Sequence, residues 1–83
     1  MDARAIREAM HAQPFRPFAL RLADGREIAI PHPDFIAVAE NGRRLAVFHP
    51  HDDAMSVLEP LLIVSLEFAA STGQATPPSG NGG

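Results

Sequence analysis

Cysteine, lysine, tryptophan and tyrosine are all missing from this chain. Without cysteine there is no disulfide, no thiolate chemistry and no cysteine-ligated zinc. The five phenylalanines are the whole aromatic set, which leaves little for stacking against nucleic-acid bases. No apolar run reaches the length of a membrane span or a signal-peptide core, so no membrane partner is expected and the default compartment is the cytoplasm. The motifs of nucleophilic hydrolysis and of phosphate-cradling glycine loops are also missing. Those absences argue against an enzyme.

The 83 residues are enough for one domain. Hydrophobic residues make up 46% and charged residues 20%, an ordinary globular mixture. Domains this short gain only about 3–5 kcal/mol from the core alone and commonly add a staple. With no disulfide available, what remains is a partner subunit, a histidine-based metal site, or acceptance of marginal stability. The formal net charge is −3, and all seven basic residues are arginines. That balance argues against a broad, non-specific nucleic-acid footprint, which needs a basic face.

Asp2 is a good helix N-cap, and Arg4 onward is rich in helix formers. Ala3, Ile6 and Met10 share a face, and Pro14 and Pro17 forbid continuation. So short a helix is marginal alone and is expected to dock on a sheet. Phe18, Leu20 and Leu22 then alternate with Ala19 and Arg21. Ile28 and Ile30 alternate with Glu27 and Ala29. A two-residue loop at Asp24-Gly25 would set the two apolar rows on opposite faces. A three-residue loop, Ala23-Asp24-Gly25, aligns Leu20 with Ile28 and Phe18 with Ile30, and sets Arg21 against Glu27.

Pro31-His32-Pro33-Asp34 is a rigid corner, since two prolines cannot sit in a central strand. Residues 35–40 form the next strand. Asn41-Gly42 is the strongest hairpin signal in the chain. A two-residue loop there sets Val38 against Leu45, Ile36 against Val47 and Glu40 against Arg43. A five-residue loop at 49–53 would bring Met55 opposite Val47 and Val57 opposite Leu45. After the break at Glu59-Pro60, residues 61–68 form a last strand with Leu62, Val64 and Leu66 on one face and Leu61 and Ile63 on the other. From residue 69 the chain is uncharged and rich in Gly, Pro, Ser and Thr, the composition of a disordered tail.

The expected fold is therefore mainly β: an N-terminal helix and a five- to six-stranded, strongly bent antiparallel sheet or small barrel over residues 1–68. With its opening helix, its Leu22-Ala23-Asp24-Gly25 first turn and its short apolar last strand, the arrangement resembles the Sm-like small barrel. The chain is also similar to a group of short bacterial proteins with no assigned activity. The similarity lies at Pro14-Phe15-Arg16-Pro17-Phe18, Leu22-Ala23-Asp24-Gly25-Arg26, Pro31-His32-Pro33-Asp34-Phe35 and Leu61-Leu62-Ile63-Val64. The Sm-like resemblance implies RNA as a ligand. That family reads uridines through an asparagine-bearing loop and an Arg-Gly pair. Here the corresponding stretches are Phe35-Ile36-Ala37-Val38 and Ile63-Val64-Ser65-Leu66.

Three functional readings follow. The first is a non-enzymatic protein-interaction module, with no cofactor, whose partner is another copy of itself. Its candidate surface is His32, Asp34 and Phe35 at the rigid corner, with Leu61 and Ile63 on the last strand. The second is RNA contact through Arg4, Arg7, Arg43 and Arg44. The third is weak metal binding by His49, His51, Asp52 and Asp53, where imidazole and carboxylate share a loop. Catalysis is disfavoured because Ser56 and Ser65, on these registers, face outward with no histidine beside them.

Overall fold

The computed structural model describes residues 1–69. All but the first residue of the expected tail lies outside that range. Helix α1 (Ala3–Met10) begins where the sequence says, with the Arg4 N–H donating to Asp2 Oδ1 at 3.0 Å. It ends at His11, before the prolines are reached. Six strands follow: β1 (Phe18–Leu22), β2 (Glu27–Ile30), β3 (Ile36–Val38), β4 (Leu45–Phe48), β5 (Met55–Leu58) and β6 (Ile63–Phe68). Short 3-10 turns, Pro33–Phe35 and Pro60–Leu62, precede β3 and β6.

The strands make two three-stranded antiparallel sheets, ordered β2-β1-β6 and β3-β4-β5. The single bent sheet or closed Sm-like barrel does not form. The physical reason lies at the two proline turns. A proline nitrogen cannot donate to a ladder, so pairing stops where the chain passes from β2 to β3 and again from β5 to β6. The two sheets and α1 enclose one core. Ile6, Leu20, Ile30, Leu45, Val47 and Ile63 are its largest fully buried side chains.

The first hairpin has the expected register. Phe18 faces Ile30, Leu20 faces Ile28 and Arg21 faces Glu27. The Leu22 N–H donates to the Arg26 carbonyl at 2.8 Å, closing the three-residue loop, and Gly25 takes φ +92°. The second hairpin pairs Ile36 with Val47 and Val38 with Leu45, also as expected. Its loop is wider, however. The Ala39 N–H reaches the Arg44 carbonyl at 2.8 Å, so residues 40–43 all belong to the turn. Glu40 and Arg43 form no ion pair among the described residues.

Two registers differ from expectation. In β5, Met55 faces Phe48, Ser56 faces Val47, Val57 faces Ala46 and Leu58 faces Leu45. The connecting loop is one residue shorter than expected, because the His49 N–H donates to the Ala54 carbonyl at 3.1 Å and Asp52 Oδ1 caps the Ala54 N–H at 2.7 Å. One residue of slip exchanges the faces of a strand. Leu58 is therefore in the core, and Met55 and Val57 face out. In β6 the pairing with β1 jumps from Leu22–Ile63 to Arg21–Ser65. The extra residue, Val64, is a bulge that turns Ile63 and Leu66 to the same side. The predicted division of this strand into two apolar faces fails for that reason.

Leu20 sits at the centre of the shared core with no exposed surface. Leu20→Ala is expected to cost about 2–5 kcal/mol, comparable with the whole stability of so small a domain. Urea denaturation followed by circular dichroism checks this, with a large fall in midpoint expected.

Candidate functional site

The two sheets present contrasting outer faces. On the β2-β1-β6 sheet the outward positions carry Arg21, Glu27, Ser65 and Glu67 beside Ala19 and Ala29. Arg21 lies 3.4 Å from Glu27 and 3.2 Å from Glu67, and Ser65 Oγ donates to Glu67 at 3.1 Å. The hydrogen bond from Arg21, reinforced by that from Ser65, holds the Glu67 carboxyl below the usual carboxylate range. At the adjoining turn, the Arg26 backbone N–H does the same for Asp24. On the β3-β4-β5 sheet the outward residues are Ala37, Ala46, Phe48, Met55 and Val57, all apolar. Phe48, Met55 and Val57 are 41, 54 and 59% exposed. The alternation of the pleat makes this face, because the core-facing residues Ile36, Leu45, Val47 and Leu58 take the other side.

The expected interaction surface is only partly at the surface. Ile63 is buried in the core and presents nothing outward. Leu61 is exposed, as are Leu62 and Val64 beside it. At the corner, His32 and Asp34 are exposed while Phe35 is half-buried. His32 Nδ1 accepts the Asp34 N–H at 3.2 Å and so caps the 3-10 turn. The Asp34 carboxylate lies 3.5 Å from the same nitrogen. The two roles exclude each other, since a protonated Nδ1 cannot accept. Phe15 backs the corner, its ring 6.3 Å from the His32 ring.

The four arginines of the RNA reading divide. Arg4, Arg7 and Arg43 line one cleft of about 590 Å³, between the start of α1, the Asn41-Gly42 turn and the Pro60 turn. Arg44 lies apart, beside a shallow depression that includes Ala37, Ala46 and Val57. In the third reading, the loop residues do not assemble. Asp52 is spent on the Ala54 N–H, and His49 Nε2 lies 2.9 Å from Ser56 Oγ. Among the described residues no three histidine or carboxylate side chains converge as a metal site.

The Ser56–His49 contact corrects the expectation that Ser56 faces outward away from any histidine. It is a consequence of the shifted β5 register. Among the described residues no carboxylate forms an ion pair with His49, so the third group that orients a catalytic histidine is not in place.

Sequence reasoning missed Met55, Val57 and Phe48 as surface residues. The available signal was Asp52, whose capping of the loop fixes its length. Compared with protein-family models, with curated proteins and with solved structures, the chain matches none.

Two measurements test this account. Because the Glu67 and Asp24 carboxyls are depressed in the fold, their stabilisation is present above the ordinary carboxylate range and is lost as pH falls through their folded values. The melting temperature is expected to fall below about pH 4, and to fall less in Glu67→Gln. Gly42, at φ +74°, would carry a Cβ 3.3 Å from that of Ala3, whereas Gly25 has open space around it. Gly25→Ala is expected to cost about 1 kcal/mol from its left-handed backbone, and Gly42→Ala more, in the same denaturation assay.

Proposed function

We propose that this protein is a non-catalytic interaction module that pairs with a second copy of itself through the outer face of the β3-β4-β5 sheet. The observation that carries the reading is the contrast between the two sheets. One outer face carries a network of ion pairs, while the strand residues of the other are apolar, with Arg44 at its edge. An apolar sheet face is normally covered.

The distribution of side-chain size favours a copy of the same chain as the cover. The bulky residues Phe48, Met55 and Val57 lie on β4 and β5, while β3 offers only Ala37 and the middle of β4 only Ala46. A two-fold axis running along β4 lays β5 of one copy over β3 of the other. Val57 of each copy then lies over Ala37 of the other on both sides of an isologous contact, while Ala46 and Phe48, on the axis, each face their own counterpart. The docking face is thus a sheet face, distinct from the His32–Phe35 corner and the last strand.

Size sets the strength. Three strands of about four residues span only ~200 Å² in projection. Standard stable interfaces bury about 800 Å² per partner. The dimer is therefore weak and concentration-dependent, with a dissociation constant of tens of micromolar or above. Sedimentation velocity from about 10 µM to about 1 mM is expected to show a monomer giving way to a dimer. Val57→Lys is expected to remove the dimer while leaving the melting temperature of the monomer nearly unchanged, since Val57 is exposed. Ala29→Lys, on the polar sheet, is expected to leave association intact. A monomer throughout this range, or a dimer indifferent to Val57→Lys, refutes the reading.

A further inference from the structure

Most arginines outside the cleft have a partner. Arg21 pairs with Glu27 and Glu67, Arg26 with Asp24 at 2.8 Å, and Arg16 lies 4.5 Å over the Phe68 ring. Among the described residues Arg4, Arg7 and Arg43 have no carboxylate within ion-pair distance, and these three come together in one cleft. In a chain of net charge −3 that convergence is a local reversal of sign. Asp2 and Glu59 also line the cleft, so the balance there is three guanidinium groups against two carboxylates. Asp2 is turned to the Arg4 N–H as the helix cap.

The cleft is already built. Arg7 Nη2 donates to the carbonyls of Ala39 and Glu40 at 2.6 and 3.0 Å, which fixes the guanidinium through neutral acceptors and leaves its charge uncompensated. The Asn41-Gly42 turn packs so closely on α1 that only a hydrogen fits at Gly42 without contact to Ala3. On the opposite wall, the Met1 amino group donates to the carbonyls of Pro60 and Ile63 at 2.8 and 3.0 Å. Guanidinium groups recognise a phosphate by paired N–H donation, and here Arg7 is held in place while Arg4 and Arg43 make no side-chain hydrogen bond among the described residues. The volume of about 590 Å³ lies within the range of small-ligand pockets. Leu61, 84% exposed at the rim, offers an apolar surface, and the Glu59 carboxylate offers an acceptor for hydroxyl groups.

We propose that this cleft is a binding site for a phosphate monoester with a hydroxylated, partly apolar body, of the class of the nucleoside monophosphates. The phosphate sits among Arg4, Arg7 and Arg43, and the body lies along Leu61 beside Glu59. The proposal is independent of self-association, which uses a different face.

Titration of the full chain with AMP, followed by amide chemical shifts, tests it. Shifts are expected at Arg4, Gly42, Arg43 and Leu61, with submillimolar affinity. Inorganic phosphate is expected to shift the arginine and glycine amides alone and more weakly, and adenosine is expected to bind at least about tenfold more weakly than AMP. Arg4→Ala and Arg43→Ala, both at exposed positions, are each expected to weaken AMP binding about tenfold. Arg26→Gln, on the other hairpin, is expected to leave it unchanged. The site is refuted if millimolar AMP moves none of these amides, or if Arg4→Ala and Arg43→Ala bind AMP as the parent does. It is equally refuted if a single-stranded oligoribonucleotide binds far more tightly than AMP with a steep salt dependence, which marks a polymer's backbone as the ligand.

Discussion

Two prolines that cannot donate a hydrogen bond set the architecture. Pro33 and Pro60 each open a 3-10 turn, and each turn ends one sheet's ladder and starts the other's. Had pairing continued through either point, the six strands could have run as one bent sheet. Interrupted twice, they form two separate layers that must share a core. Every strand contributes to that core, and Ile6 of the helix completes it. The division also creates two separate outer faces, and their unlike chemistry is what gives the molecule a direction.

The face on β2-β1-β6 is finished by its own charges, with Arg21 between two carboxylates. The face on β3-β4-β5 has nothing comparable. The share of it contributed by β5 depends on a single residue of register. With Met55 and Val57 turned inward, the surface would have carried Ser56 and Leu58 in their place. With Ser56 inward, beside His49, the apolar side chains lie outside. Surface chemistry in a domain this small is thus coupled to loop length: the Asp52 cap helps decide which face of a strand meets solvent. The arginine cleft is a product of the same economy of elements. A close approach between a glycine turn and the start of the helix sets Arg4, Arg7 and Arg43 around one cleft.

Much of this was legible beforehand, and the reasons are local. The first hairpin could be registered because two independent signals agreed, the apolar alternation and the Arg21–Glu27 pair. The second was fixed by Asn41-Gly42 flanked by alternating residues, although its turn is wider than that dipeptide suggests. The helix start was written in Asp2. The loop at 49–53 carried conflicting signals: apolarity favoured Met55 and Val57 as core residues, while the geometry of the Asp52 turn required Leu58. The β6 bulge left no trace in composition, because Leu61, Leu62, Ile63 and Val64 are all apolar and any of them suits a core.

By itself the sequence determined the element types, the first two registers and the absence of thiol chemistry, because each follows from neighbours along the chain: a cap, a turn residue, an alternation. Only the tertiary structure decided how many sheets there are, which apolar residues stay in solvent and which arginines meet. Those outcomes depend on distances between residues far apart in sequence, such as Arg4 and Arg43. No local pattern encodes such a distance; the packing of a helix and two sheets around one core produces it.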